Sequence, residues 1–280
     1  MSAPPAAAED LFLSVDGARL RFRDEGRGPA VILLHGWTLD LEMWDPQVRA
    51  LRDTFRLIRF DRRGHGLSDG TCSASRDGAD LAALCNHLGL TRVALIAMSQ
   101  GVRGALRFAC AAPAQVGALI LDGPPALEAA SDPDMPLETY AALVRNQGVG
   151  AFRREWARHA LMALRTGNPE ARALLAAMLE RYQGSDLRHG APRGDLAAAP
   201  VGLAAPVGLE ALSAPALVLS GEHDLPRRRQ AARRLATRLA DAELAVIPGA
   251  GHLPNLDRPE AYSKLCRAFL TRHCIPRATS

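Results

Sequence analysis

Lysine is almost missing from this chain: Lys264 is the single lysine in 280 residues, so nearly every positive charge is an arginine. An excess of one charge sign is lacking as well: the arginines are dispersed and mixed with acids along the chain, at a formal net charge of only +4. That distribution reads mainly as solvated surface, and nucleic acid is not an expected partner. Paired cysteines are lacking too. The five cysteines, Cys72, Cys85, Cys110, Cys266 and Cys274, are odd in number and widely spaced, without the Cys-x-x-Cys unit of zinc or redox sites. A reducing compartment suits them. No apolar run is long enough to span a bilayer, and Met1 to Asp10 is rich in Ala and Pro without the basic start or apolar centre of a secretory signal. The expectation is a cytoplasmic protein with no membrane partner.

What the chain does have is 48% hydrophobic and 23% charged residues, enough for one large domain or a domain carrying an insertion. Three strand-like runs come first: Leu11–Val15, a turn at Asp16-Gly17, Ala18–Arg23, and the all-apolar Ala30–Leu34, which reads as a buried strand. Strands and helices then alternate, with strand Arg56–Phe60, helix Asp77–Leu88, strand Arg92–Ala97, helix Gln100–Ala111 and strand Val116–Leu121. The alternation stops at Gly123-Pro124-Pro125 and resumes with strand Ala216–Ser220, helix Arg227–Leu239, strand Glu243–Ile247 and helix Pro259–Arg272. Repeated strand–helix units predict an α/β fold, a mostly parallel sheet flanked by helices. Between the two halves lie helical stretches over Leu137–Asn146, Ala151–Leu164 and Pro169–Tyr182, then a Gly/Ala/Pro-rich passage from Gly184. Residues 1–124 and 206–280 are accordingly read as the α/β core and 125–205 as an inserted helical cap. In the Gly/Ala/Pro-rich passage Ala-Ala-Pro-Val-Gly-Leu occurs twice, at 198–203 and 204–209; six residues cannot form a stacking unit, so this is a duplicated linker.

The chemistry concentrates at the expected strand ends. Val93 to Met98 is apolar and runs through Ser99 directly into a helix, with the small residues Ala97 and Gly101 on either side of the serine. A strand that reverses sharply into a helix needs small neighbours and projects its turn residue at the helix N-terminus, where the dipole favours developing negative charge. A serine in such a setting also serves as a plain helix cap, so the reading depends on partners. Gly221-Glu222-His223-Asp224 follows one later strand and Gly249-Ala250-Gly251-His252 the next, giving the order Ser, acid, His. In an open parallel sheet the carboxyl edge of the strands is where ligands bind, so Ser99, Asp224 and His252 can converge there. His252 would accept the hydroxyl proton of Ser99, and Asp224 would fix the imidazole tautomer. Asp122, just past another strand, is a rival acid; Asp224 is favoured and Asp122 is assigned to turn-making at the entrance to the cap.

An acyl-transfer serine also needs donors for the oxyanion. His35-Gly36-Trp37, directly after the buried strand Ala30–Leu34, supplies a loop able to face the nucleophile, and the backbone N–H groups of Trp37 and Gln100 are nominated. His35 reads as a structural hydrogen-bonding residue, and the Trp37 side chain either floors the pocket or packs.

These residues resemble the α/β-hydrolase superfamily. His35-Gly36-Trp37, the loop Asp61-Arg62-Arg63-Gly64-His65-Gly66-Leu67-Ser68-Asp69, Ala97-Met98-Ser99-Gln100-Gly101, Gly221-Glu222-His223-Asp224 and Gly249-Ala250-Gly251-His252 match its marks in order, over nearly the whole chain outside the cap. The resemblance implies the α/β-hydrolase fold and a loop Asp61–Asp69 that shapes the sheet edge, with His65 structural. It is strongest to small capped esterases and enol-lactone hydrolases, then to cofactor-free haloperoxidases and carbon–carbon bond hydrolases. Ala97 and Val102 depart from the commoner glycines. Relatives acting on epoxides or haloalkanes carry Asp at the elbow, whereas Ser99 implies an acyl-enzyme from a small ester or lactone, formed without metal or organic cofactor. The alternatives are a haloperoxidase or perhydrolase, a carbon–carbon bond hydrolase, and a ligand receptor that keeps the pocket without turnover. In the cap, Tyr140, Phe152, Trp156 and Tyr182 are candidate pocket aromatics; Arg153, Arg154 and Arg158 read as the polar face of an amphipathic helix or, if one reaches the pocket, as a carboxylate contact.

Overall fold

The structure is a computed structural model that describes residues 9–73, 75–127, 132–188 and 208–275. The Gly/Ala/Pro-rich passage past Arg188 and most of the duplicated hexapeptide lie outside the described residues. Eight strands are described: β1 (Leu11–Val15), β2 (Ala18–Gly26), β3 (Ala30–Leu34), β4 (Arg56–Phe60), β5 (Val93–Met98), β6 (Val116–Asp122), β7 (Ala216–Gly221) and β8 (Ala242–Ile247). They form one sheet in the order β1-β2-β4-β3-β5-β6-β7-β8. The pairs β1/β2 and β2/β4 are antiparallel, and every pair from β4 onward is parallel.

Alternation along the central strands dictates the layers. Val31 and Leu33 of β3, with Ala94, Ile96 and Met98 of β5, face one apolar layer; Ile32, Leu34, Val93, Leu95 and Ala97 face the other. A sheet apolar on both faces requires helices on both. These are α1 (Asp45–Leu51), α2 (Asp77–His87) and α3 (Gln100–Ala111); then α4 (Leu137–Gln147), α5 (Val149–Trp156), α6 (Pro169–Arg181) and α7 (Ser185–Arg188) between β6 and β7; then α8 (Pro226–Arg238), α9 (Pro254–Asp257) and α10 (Pro259–Cys274). Residues of α1 and α10 fill the first layer together with the aromatics of the insertion, and residues of α2, α3 and α8 fill the second. The fold is that of a mostly parallel, doubly covered sheet with a helical insertion.

The differences from the sequence reading are local. The stretch Ala151–Leu164 is not one helix: α5 ends at Trp156 and a separate 3-10 turn spans Ala160–Met162, opened by His159, whose imidazole accepts the Leu161 N–H at 3.2 Å. Strand β2 runs on to Gly26 because its second half pairs with β4. The short elements α1, α7 and α9 have too few turns for an apolar period to register in sequence. The arginines are less solvated than their scatter suggests, since Arg21, Arg59, Arg62, Arg63, Arg103 and Arg228 are all buried. Arg62 donates twice to Asp77 and Arg63 twice to Asp80, the forked geometry that a lysine ammonium cannot supply.

Candidate active site

The turn from β5 into α3 holds Ser99 in a conformation few residues adopt, at φ 51° and ψ −118°. A non-glycine residue at positive φ costs on the order of 1–3 kcal/mol and persists only where neighbours over-determine it. Here the Ser99 N–H donates to Asp122 O at 2.8 Å and its carbonyl accepts the Val102 N–H at 3.0 Å. Gly101 must be glycine because α3 passes against the end of β3: a methyl there would lie 2.7 Å from His35 O and 2.8 Å from Leu34 O. The hydroxyl therefore stands at the carboxyl edge of the sheet, over the first turn of α3, whose N–H groups lack intrahelical partners.

The loops after β7 and β8 bring the other two residues to it. His252 Nδ1 lies 2.9 Å from Asp224 Oδ2, and His252 Nε2 lies 3.2 Å from Ser99 Oγ. A carboxylate only accepts, so the proton sits on Nδ1 and the Nε2 lone pair faces the serine hydroxyl. Asp224 is anchored in turn by the Leu225 N–H, which donates to its Oδ1 at 2.7 Å. Both reacting side chains are buried, Ser99 being 5% and His252 2% exposed. Gly123 has φ 51° and backs the imidazole; a methyl there would meet His252 Cε1 at 2.9 Å. A cavity of about 230 Å³ opens elsewhere, between Pro125, Leu127, Asp132, Asp134 and the α8 residues Arg228 and Leu235.

Asp122 does not make a turn at the cap entrance as expected. It is the last residue of β6, its side chain is fully buried, and neither carboxyl oxygen has a hydrogen-bond partner among the described residues. Burial, reinforced by the nearby Asp224, pushes its pKa well above the carboxylate range, so it is held neutral. Its peptide carbonyl, not its side chain, serves the turn at Ser99.

His35 is buried between the loop after β3 and the loop after β4: the Arg62 N–H donates to its Nε2 at 2.8 Å, and its Nδ1 lies 2.7 Å from Gly36 O. Burial, with His65 and Arg62 nearby, holds it well below the ordinary histidine pKa, as a neutral connector. His65 is likewise buried and pushed down to about 4 by burial and then by Arg62. The Trp37 ring packs. Tyr140, Phe152, Trp156 and Tyr182 of the insertion surround it with ring centroids 4.9–6.3 Å away, and its indole N–H donates to Asp186. Gln100 opens α3, and its side-chain amide meets Met135 Sδ at 3.9 Å. Arg153 is engaged by the Tyr182 carbonyl and Glu180 and Arg154 is exposed, so α5 is an ordinary amphipathic helix, and Arg158 lies past its end, exposed.

Sequence reasoning missed Asp257, which is buried and accepts three backbone N–H groups: Gly251 at 2.7 Å on Oδ2, and Arg165 and Thr166 at 2.6 and 3.0 Å on Oδ1. It thereby joins the loop of His252 to the insertion. Two of those partners are 92 and 91 residues away, so no local pattern could have flagged it.

The chain is similar to known proteins over most of its length. A family model described as the alpha/beta hydrolase fold matches residues 29–259. Among curated relatives, a 2-(acetamidomethylene)succinate hydrolase of Mesorhizobium japonicum is 30% identical, with 94% of this chain and 97% of the relative covered. Among solved structures, a thermophilic esterase from Thermogutta terrifontis superposes with a TM-score of 0.74 at 31% identity, covering 95% of this chain and 99% of the other. An enol-lactonase from Burkholderia xenovorans gives 0.75 at 25% identity, covering 93% and 100%. With its sheet order, its strained serine turn and a family match over most of its length, this chain belongs to the α/β-hydrolase family.

Proposed function

We propose that the protein is a serine hydrolase that cleaves a small carboxylic ester or lactone through an acyl-enzyme on Ser99. The observation that carries this reading is the continuous line from Asp224 through His252 to Ser99, at 2.9 and 3.2 Å, at the mouth of a helix N-terminus. In the proposed cycle His252 Nε2 takes the Ser99 proton as Oγ attacks the carbonyl carbon, and Asp224 stabilises the imidazolium. Negative charge builds on the carbonyl oxygen, which the backbone N–H groups of Trp37 and Gln100 receive. The imidazolium then protonates the leaving alkoxide, releasing the alcohol, or freeing one end of an opened lactone. Water enters, gives its proton to His252, and hydrolyses the acyl-enzyme.

Residues 1–124 and 206–280 form the catalytic core in this reading, and residues 125–205 act as its cap over a small-molecule substrate. The similarity to an esterase and an enol-lactonase supports the substrate class. The five free cysteines support a reducing, cytoplasmic setting. The test is direct. A fluorophosphonate probe is expected to label Ser99, and Ser99→Ala to abolish both labelling and the hydrolysis of p-nitrophenyl acetate and simple lactones. Hydrolysis that survives Ser99→Ala would overturn the proposal.

A further inference from the structure

The loop that carries the Trp37 N–H is tied to the insertion by two buried hydrogen bonds. On α5, Trp156 Nε1–H donates to Thr38 Oγ1 at 2.8 Å, and Trp37 Nε1–H donates to Asp186 Oδ2 of α7 at 2.6 Å. The partners are separated by 118 and 149 residues, and all four side chains are buried. Asp186 also accepts the Tyr182 hydroxyl, so its carboxylate is shared between an insertion donor and a core donor. At the edge of the same contact Arg181 of α6 reaches Asp40 at 2.9 Å and Glu42 at 2.6 Å. Four successive polar or aromatic stations of one core loop, Trp37, Thr38, Asp40 and Glu42, are thus held by side chains of the insertion.

Thr38 is the point of strain in that loop. Its φ is 64°, a region that disfavours β-branched side chains and is kept only under external constraint. The bond from Trp156 supplies such a constraint at the strained residue itself. Two residues upstream, Gly36 lies against the nucleophile turn, where a methyl would stand 2.7 Å from Met98 Sδ and 3.4 Å from Ser99 Cβ. Relaxation of the backbone at Thr38 would therefore move the Trp37 N–H relative to Ser99 Oγ. Oxyanion donors act only when preorganised, and a misplacement of about 1 Å costs on the order of 100-fold in rate.

We infer that Trp156, Thr38 and Asp186 are positioning residues, which set the oxyanion loop only while the insertion is seated on the core; this rests on the reading of Ser99 as nucleophile.

The test uses the full chain with p-nitrophenyl acetate, with kcat referred to Ser99 sites titrated by a fluorophosphonate. Thr38→Val removes the acceptor at nearly constant shape and Trp156→Phe removes the donor together with part of a buried ring; each is expected to lower kcat about tenfold or more with KM little changed. Thr38→Ser retains the acceptor and should keep kcat close to that of the unmutated chain. Asp186→Asn, which turns an amide N–H toward one of two donors, should behave like Trp156→Phe and stands in if Thr38→Val fails to fold. A titrated kcat unchanged in Trp156→Phe and Asp186→Asn, with loss confined to Tm, would overturn the inference and leave the Ser99 reading intact. No labelling and no turnover in the unmutated chain would remove both.

Discussion

Asp122 and Asp224 end or follow the neighbouring strands β6 and β7, yet their carboxyls meet different surroundings. Asp224 has a histidine Nδ1 and a backbone N–H to accept from, whereas Asp122 is fully buried with no hydrogen-bond partner for either oxygen among the described residues. A buried polar group without a partner costs about 1–3 kcal/mol, so an apolar residue of similar size should be tolerated there. Asp122→Leu is expected to stabilise the protein. The sign with pH follows from linkage: the unfolded carboxyl releases its proton near 3.8, while the folded one retains it well above that value. The unmutated protein therefore loses stability as pH rises above the unfolded value, and the advantage of Asp122→Leu should widen between about pH 4 and pH 8. Denaturant titrations at both pH values check this. A gain of equal size at both would mean that Asp122 is not held protonated.

At the scale of elements, the site is a meeting of strand ends whose loops are fixed by single residues. The short apolar runs that made β3, β5 and β7 legible also placed Ser99, Asp224 and the His35 loop on one edge, because parallel strands share a carboxyl end. The short helix α9 was not legible, and it carries Asp257, the clasp between the His252 loop and the insertion. Three backbone hydrogen bonds to one buried carboxylate are lost in Asp257→Ala. The expected cost is about 3 kcal/mol, read as a lower midpoint in urea with an unchanged slope. A loss below about 0.5 kcal/mol would show that the loops hold without it.

Across the whole molecule the insertion and the core share one apolar layer: Trp37 of the core packs among Tyr140, Phe152, Trp156 and Tyr182, and the same cluster continues into α1 and α10. Parts that share a core should unfold together. Near-UV circular dichroism, which reports the Trp37 and Trp156 environment, is expected to lose its signal at the same temperature as the far-UV signal of the sheet and helices. Two separated transitions would indicate an insertion that melts alone. The arginine content belongs to this scale too. In sequence it looked like surface, and only the folded chain reveals Arg62 and Arg63 paired with Asp77 and Asp80 under the loop after β4.

The order of strands and helices, the mostly parallel sheet and the sequence of Ser99, Asp224 and His252 at strand ends were determined by the sequence itself, because side-chain period and turn chemistry are local properties of the chain. Tertiary structure alone decided which carboxyl stays neutral and which residues hold the loop after β3. Each of those outcomes depends on burial and on partners far away in sequence, as with Thr38 and Trp156, and neither burial nor distance in space is written in any short stretch of residues.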